Sequence, residues 1–318
     1  MIAWLVLLQA SLTIAVAGPA TSPEYLPLHL AQAEGLFAAQ HLDVTLRPVR
    51  SDAGAAEALG GARAQLAATS LDAALRLASP QGVPPRLVWG LTAAPPVAVL
   101  VNPGRVDTIR TVADLAGQTV AIPAPGTPED QVLGLLLARA RVPFHRVTLR
   151  SLGERGVARA LEGGEVAAAV LGEPYVTRLV DAGKAVIVAD LRTARDAAAA
   201  LGGPTVNAAL FARAGHLPEA ATLRALAAAL QAAVARVTSV EPATLEAGLP
   251  PAVIGSPGDF AIRLRGARDL FLPGGRVSRE ALERSLELVR SRAPLPAAVK
   301  LPRHAKDLLL PTADPEPR

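Results

Sequence analysis

The sequence contains no cysteine. This absence excludes disulfide bonds, zinc sites built from cysteine, thiolate nucleophiles and a lipid anchor on an N-terminal cysteine. The five histidines are scattered, without the short spacings that bring two imidazoles to one metal ion. The sequence also lacks the nucleophile-elbow motif, the Walker phosphate loop and the H-E-x-x-H metalloprotease motif. We therefore expect no metal ion, no cofactor and no enzymatic activity.

Aromatic residues and lysine are scarce. Only 3% of the chain is aromatic, with two Trp and two Tyr, whereas hydrophobic residues make up 51%. The cores must therefore consist mainly of Ala, Leu and Val. The formal net charge is +4, but the basic residues are mostly arginines dispersed singly among Ala and Leu. A nucleic-acid surface would instead show a basic stripe or basic residues interleaved with aromatics, so we expect no nucleic-acid partner.

A long apolar run is also missing. A membrane-spanning helix needs about 20 consecutive apolar residues. The N-terminus offers only the run MIAWLVLLQA, which resembles the hydrophobic part of a secretion signal with cleavage after Ala10. We therefore interpret residues 1–11 as a short signal segment and expect a periplasmic protein. The polar, proline-rich residues 311–318 are predicted to form a tail.

The chain contains an internal repeat. The stretch Leu12–Val49 resembles Gln118–Leu152 element by element. Each copy has a short β-rich run, a Gly/Pro turn, a helix start of the form hydroxyl–Pro–acid and a strand reading VTLR. At such a helix start, the hydroxyl is expected to cap the helix, while the proline and the acid favour its first turn. The similarity continues, because residues 56–73 resemble residues 158–175.

Each copy therefore reads β-α-β-α-β, which predicts two lobes, each with a parallel sheet covered by helices. We place lobe 1 at residues 12–100 and 205–310 and lobe 2 at residues 101–204, so that the chain crosses a hinge twice. Ligands bind at the carboxyl ends of parallel strands. The loops at those ends hold our candidate ligand-binding residues, which are Thr21, Ser22, Tyr25, Thr69, Ser70, Gly126, Thr127, Glu173 and Tyr175.

Four acidic residues could be imagined as paired general acids and bases, namely Glu24, Glu129, Asp130 and Glu173. Three of them lie in the first turn of a predicted helix. A carboxylate there interacts favourably with the helix dipole, so we interpret those three as helix-stabilising and not as catalytic.

The order of these motifs resembles the sulfonate, nitrate, taurine and thiamine-precursor branch of periplasmic binding proteins. The resemblance is carried by PEYLPLHLAQAEGLFAAQHLDVTL (23–46), TVADLAGQTVAIPAPGT (111–127), ALEGGEVAAAVLGEPYVTRLVDAGKAVIVADLRT (160–193) and FLPGGRVSREALERSLELV (271–289). It implies an α/β, two-lobed fold of the type II periplasmic-binding-protein kind. It also implies a monomer that captures a small molecule for an ABC permease and ATPase.

Two alternatives stay open within this architecture, an enzyme of a menaquinone-type pathway and a sensory ligand-binding protein. Two further enzyme classes with similar lobes, the pyrimidine synthases with a cysteine-rich iron motif and the porphobilinogen deaminases, are excluded because the chain has no cysteine.

For the ligand, the two tyrosines suggest a small organic molecule with a flat or apolar part, held between Tyr25 and Tyr175. In this hypothesis Glu173 accepts a hydrogen bond from the ligand. Its carboxylate would favour N–H groups, as in an aminopyrimidine, over nitrate or a sulfonate, whose charge it would repel. The alternative is that Glu173 and Pro174 merely form a turn and that Tyr175 covers a hydrophobic edge.

Overall fold

The computed structural model describes residues 10–77, 84–291 and 301–310. The predicted signal segment therefore lies outside the described residues up to residue 9, and the predicted tail lies outside them entirely. Ala10 and Ser11, the last two residues of the predicted segment, already belong to the first strand, where they pair with Leu42 and Asp43.

Ten strands of the described residues form two sheets. In chain order they are β1 (Ala10–Val16), β2 (Leu42–Pro48), β3 (Leu66–Ser70), β4 (Arg86–Gly90), β5 (Val97–Val101), β6 (Thr119–Ile122), β7 (Thr148–Ser151), β8 (Ala168–Gly172), β9 (Val186–Asp190) and β10 (Ala208–Ala212). The strand order is β2-β1-β3-β10-β4 in the first sheet and β7-β6-β8-β5-β9 in the second. Each sheet and the helices packed on it form one lobe, lobe 1 for the first sheet and lobe 2 for the second.

The helices of the described residues are α1 (Leu26–Ala33), α2 (Leu36–Ala39), α3 (Asp52–Gly60), α4 (Leu71–Leu77), α5 (Pro128–Arg139), α6 (Gly153–Glu162), α7 (Tyr175–Asp181), α8 (Ala194–Leu201), α9 (Ala220–Ser239), α10 (Pro242–Glu246), α11 (Pro251–Ile254), α12 (Asp259–Ala267) and α13 (Arg279–Ser291). The α/β, two-lobed fold predicted from the sequence is confirmed.

The two sheets repeat one topology. In the first sheet β1 runs parallel to β2 and β3, and in the second β6 runs parallel to β7 and β8. The turns after β1 and β6 also correspond, because Gly18 and Gly126 adopt positive φ angles of 73° and 80°. Glycine reaches this backbone region without steric cost.

The prediction of purely parallel sheets is wrong, because both sheets are mixed. Strand β5 runs antiparallel to β8 and β9, and β10 runs antiparallel to β3 and β4. Each of these strands follows a crossing between the lobes. The parallel strands end at the cleft, whereas a strand that enters from the other lobe starts there and must run away from it.

The first crossing also lies earlier than we predicted. We placed the boundary after residue 100, but β5 (Val97–Val101) pairs only within the second sheet. The chain therefore leaves lobe 1 before Val97. It returns through residues 205–207 into β10, which lies in the first sheet.

Each lobe buries its own core. The central strands β3 and β5 are buried along their whole length, as is typical of strands covered on both faces. Helix α9 contributes Leu226, Leu230 and Ala233 to the core of lobe 1. This 20-residue helix contains an 18-residue window with a mean hydropathy of 1.3, enough to cross a membrane by length and composition alone. Its packing identifies it as a core helix.

Candidate ligand-binding site

A cleft of about 780 Å³ separates the two lobes at the carboxyl ends of their parallel strands. Lobe 1 contributes the turn after β1, the start of α3 and the loop before α12, and lobe 2 contributes the turn after β6, the start of α6 and the loop after β8. Both crossing segments contribute as well, through Pro96, Val97 and Asn207. The turns after β1 and β6 therefore face each other across the cleft, as do the starts of α3 and α6.

Seven of the nine predicted ligand-binding residues line this cleft. They are Thr21, Ser22, Tyr25, Gly126, Thr127, Glu173 and Tyr175. The hydroxyls of Ser22 and Thr127 were expected to cap helices, but neither makes a capping hydrogen bond. The Thr127 hydroxyl instead donates to the Ala124 carbonyl at 2.9 Å.

Thr69 and Ser70 do not line the cleft. Thr69 is fully buried, and its hydroxyl donates to the backbone carbonyl of Asp52 at 2.9 Å and to Asp52 Oδ1 at 3.2 Å. The Ser70 amide donates to the same Oδ1 at 3.0 Å. Ser70 also faces a separate cavity of about 70 Å³ behind the crossing segments. These two residues act on the cleft only indirectly, by fixing the carboxylate of Asp52.

Tyr25 is part of the same arrangement. The residue is 5% exposed, and its hydroxyl donates a hydrogen bond of 2.7 Å to Asp52 Oδ1. Burial, together with the neighbouring Asp52 and Glu24 carboxylates, raises the pKa of the Tyr25 phenol well above its usual value. The phenol therefore stays protonated and donates to Asp52. Tyr175, on the other lobe, is half-buried and packs partly against a hydrophobic cluster of lobe 2.

The ligand hypothesis requires a Glu173 carboxylate that is free to accept a hydrogen bond from the ligand, and the structure does not show one. Its side chain is 1% exposed and forms an ion pair with Arg192. Both carboxylate oxygens also accept hydrogen bonds from Thr177, from the amide at 3.0 Å and from the hydroxyl at 2.8 Å. The Glu173 carboxylate is thus engaged within lobe 2, where it fixes the start of α7. This geometry favours the turn-forming alternative for Glu173 over direct contact with a ligand.

Two buried acids of the cleft were not among the predicted ligand-binding residues. Glu24 and Glu129 are each 8% exposed and line the cleft, although we had assigned them to helix stabilisation. Asp130 is the acid that serves its own helix start, because its Oδ2 accepts a hydrogen bond from the Gly126 amide at 2.8 Å. The signal for the buried pair was present in the repeat, since Glu24 and Glu129 occupy the same place in the two copies.

The pKa values of both acids are shifted upward. Burial, opposed in part by a hydrogen bond to its own backbone, raises the pKa of Glu24 to about 7, and the negative charges of Asp52 and Glu129 add to the rise. Burial likewise raises the pKa of Glu129. Both carboxyl groups therefore resist ionisation, and a positively charged ligand group placed beside them would favour their ionised form.

The cleft also has a contact that joins the lobes directly. Arg178 on α7 of lobe 2 forms an ion pair with Asp259 at the start of α12 in lobe 1. Asp259 further lies 4.0 Å from Arg263 of its own helix. A second contact between the lobes runs from the Ala194 amide to Asp269 Oδ2, at 3.0 Å. Within residues 10–77, 84–291 and 301–310, no group of three or more acidic or histidine side chains is placed to hold a metal ion.

A protein-family model described as NMT1/THI5 like matches residues 22–238. No curated protein sequence matches the chain. Among solved structures, a protein from Bordetella bronchiseptica RB50 has 24% identity and a TM-score of 0.75, with 95% of this chain and 94% of that chain covered. The periplasmic aliphatic sulphonate binding protein SsuA from Escherichia coli has 18% identity and a TM-score of 0.70, with coverage of 88% and 91%.

The periplasmic nitrate-binding protein NrtA from Synechocystis PCC 6803 is more distant. Its identity is 14% and its TM-score 0.55, with 81% of this chain and 68% of that chain covered. At these identities, the structural similarities establish the fold.

Proposed function

The chain belongs to the NMT1/THI5-like family, and from that premise we propose that it is the periplasmic substrate-binding protein of an ABC importer. It captures a small organic molecule between its lobes and delivers it to an ABC permease with its ATPase. The comparisons support the transport class, because SsuA and NrtA are named as periplasmic binding proteins. Neither alternative from the sequence, the menaquinone-type enzyme or the sensory protein, gains support from them.

The observation that carries the proposal is the placement of the cleft. Both crossing segments pass beneath it, and each lobe contributes equivalent loops to opposite walls. A ligand held by only one lobe would gain half of the contacts that the cleft offers. Closure is therefore favoured by the additional contacts that a bridging ligand makes.

The lining of the cleft supports binding over catalysis. The hydroxyl of Tyr25 donates a hydrogen bond to Asp52. The carboxylate of Glu173 forms an ion pair with Arg192 and accepts hydrogen bonds from Thr177. What faces the ligand is a set of backbone turns, small hydroxyls and buried carboxyl groups. Such groups orient a ligand and desolvate it, which is the task of a carrier that releases its ligand unchanged.

The test is to express the full chain in a Gram-negative host, fractionate the cells and analyse the recovered protein by native mass spectrometry. We expect the protein in the periplasmic fraction, with one small molecule bound. Small-angle scattering should then show a smaller radius of gyration with ligand than after its removal. Identical scattering profiles for the loaded and the stripped protein would contradict closure, and a chemically altered ligand on release would contradict the carrier role.

A further inference from the structure

Three carboxyl groups lie at the bottom of the cleft. Glu24 and Asp52 come from lobe 1, at the turn after β1 and at the start of α3, and Glu129 comes from lobe 2, in the first turn of α5. Glu24 and Glu129 are more than nine-tenths buried. Because the repeat places them in equivalent positions of the two lobes, they approach the cleft from opposite walls.

None of these three carboxyl groups has a cationic partner within the described part of the chain. The ion pairs found there involve other acids. The hydrogen bonds to Asp52 come from neutral donors, namely the Tyr25 hydroxyl, the Thr69 hydroxyl and the Ser70 amide. Neutral donors stabilise a carboxylate without cancelling its charge. Asp52 therefore remains a source of negative potential at the bottom of the cleft.

The arginines of the cleft do not compensate this charge. Arg263 contacts Asp259 and donates to the Ile254 carbonyl. Arg50 and Arg155 line the cleft but are exposed to solvent, where water and salt screen their charge.

A buried carboxylate without a counter-charge costs folding free energy. Glu24 and Glu129 are two such groups, one from each lobe, and with the partly buried Asp52 they line a cleft in which a ligand can supply the missing counter-charge. We propose that the cleft selects a ligand with a positively charged amine or amidinium group, and that this group lies between Glu24 and Asp52 of lobe 1 and Glu129 of lobe 2. The inference rests on the proposed function and specifies the charge of the molecule carried.

The arrangement links charge recognition to closure. A cation that interacts with acids of both lobes stabilises the closed state by reducing the repulsion between Glu24 and Glu129 across the cleft. An anion such as nitrate or a sulfonate would add to that repulsion. On this basis the chain differs in ligand charge from the named sulphonate- and nitrate-binding proteins with which it shares a fold.

The experiment uses sets of three ligands on one skeleton, for example benzylamine, benzyl alcohol and phenylmethanesulfonate, with a further aliphatic set and a pyrimidine set. Calorimetry on the stripped, full-length protein at pH 8 measures each affinity. Within any set that binds, we expect the amine to bind at least tenfold more tightly than the alcohol, and the sulfonate not to bind. A sulfonate or an alcohol that binds best would overturn the inference.

Two variants test whether Glu24 and Glu129 bind the positively charged group of the ligand. Glu24→Gln and Glu129→Gln should each weaken amine binding at least tenfold, while leaving the affinity for the alcohol within about twofold. Glu57→Gln is the matched control, because Glu57 lies on an exposed face of α3, and it should bind as the unaltered protein does. Equal losses for amine and alcohol would show that the variants disturb the site as a whole, and would contradict charge selection.

A third measurement needs no ligand. At pH 8 the double variant Glu24→Gln/Glu129→Gln should melt at a higher temperature than the unaltered protein, because two buried charges are removed. An unchanged or lower melting temperature would overturn the inference. If the double variant melts higher but no amine, alcohol or sulfonate binds at all, the proposed carrier function fails while the inferred charge of the cleft stands.

Discussion

The hydroxyl of Tyr25 donates a hydrogen bond of 2.7 Å to the carboxylate of Asp52, and this bond joins the turn after β1 to the start of α3. Both partners line the cleft. The bond fixes two adjacent walls of lobe 1 relative to each other before any ligand arrives. The contribution of this hydrogen bond to the free energy of unfolding can be measured separately from ligand binding.

Replacing Tyr25 with Phe should lower the free energy of unfolding by about 1.5–2 kcal/mol, because a hydrogen bond to a charged group contributes about 1.5–3 kcal/mol. Denaturant unfolding at pH 7 measures the change. Tyr175→Phe is the matched control, since the Tyr175 hydroxyl has no hydrogen bond to any described residue, and its effect should stay within about 0.5 kcal/mol. Equal losses in the two variants would show that the bond to Asp52 does not matter.

The buried pair of Glu173 and Arg192 gives a second prediction. Glu173→Gln should destabilise the protein by about 2 kcal/mol, somewhat less than the 3–5 kcal/mol for an isolated buried pair, because Arg192 keeps its ion pair with Asp190. In a double-mutant cycle with Arg192→Met, the coupling energy should reach about 1 kcal/mol. Additive effects would mean that the carboxylate is not held by Arg192, and would return Glu173 to the set of ligand contacts.

The repeat made much of the fold predictable. Two copies of strand, turn, helix and VTLR strand located β1, β2 and β3 together with their equivalents β6, β7 and β8, because each copy carries its own turn and helix-start signals. The direction of β5 could not be predicted in the same way. Its sequence, VAVLV, is an apolar run that is buried on both faces, and such a run has the same pattern whichever way the strand points.

The site was less predictable, for a physical reason. The local signals at Glu24 and Glu129 are those of a helix start, and local signals do not report which way a side chain points once two lobes face each other. Glu173 illustrates the same limit, because its partner Arg192 lies after the next strand along the chain, beyond any spacing rule. Loop positions such as Thr21 and Gly126 were identifiable because they follow strands, and the ends of parallel strands define the cleft.

The raised pKa of Glu24 predicts how stability depends on pH. The pKa rises from 4.5 to about 7 on folding, so the folded state holds a proton that the unfolded state has released between these values. Stability should therefore be unaffected by Glu24 below pH 4.5, should fall as the pH rises from 4.5 to about 7, and should level off above that, with a total loss on the order of 3 kcal/mol.

The charged and titratable groups facing Glu24 are Asp52 on α3, Glu129 on α5, and Asp259 and Arg263 on α12, which packs against the turn that holds Glu24. Thermal unfolding of the ligand-free protein at pH 5 and pH 8 measures the effect. In Glu24→Gln the difference between the two pH values should shrink by several degrees relative to the unaltered protein, whereas Glu57→Gln should leave it unchanged. A pH profile of Glu24→Gln identical to that of the unaltered protein would contradict the assignment.

The ion pair between Arg178 and Asp259 predicts how the lobes respond to a single substitution. Arg178 is 50% exposed, so the pair should contribute only about 0.2–1 kcal/mol. Because it joins α7 of lobe 2 to α12 of lobe 1, that energy acts on the equilibrium between open and closed states and not on either core. Asp259→Asn should therefore shift the ligand-free population towards the open state by a factor of about 1.4 to 5, with little change in melting temperature. The absence of cysteine allows spin labels at Glu57→Cys in lobe 1 and Arg105→Cys in lobe 2, and the distance distribution between them reports the shift.

Arg195→Gln is the control, since the contact of Arg195 with Asp196 lies within lobe 2 and its side chain is 91% exposed. The same distribution in Asp259→Asn and the unaltered protein, or an equal shift in Arg195→Gln, would show that this ion pair does not hold the lobes together.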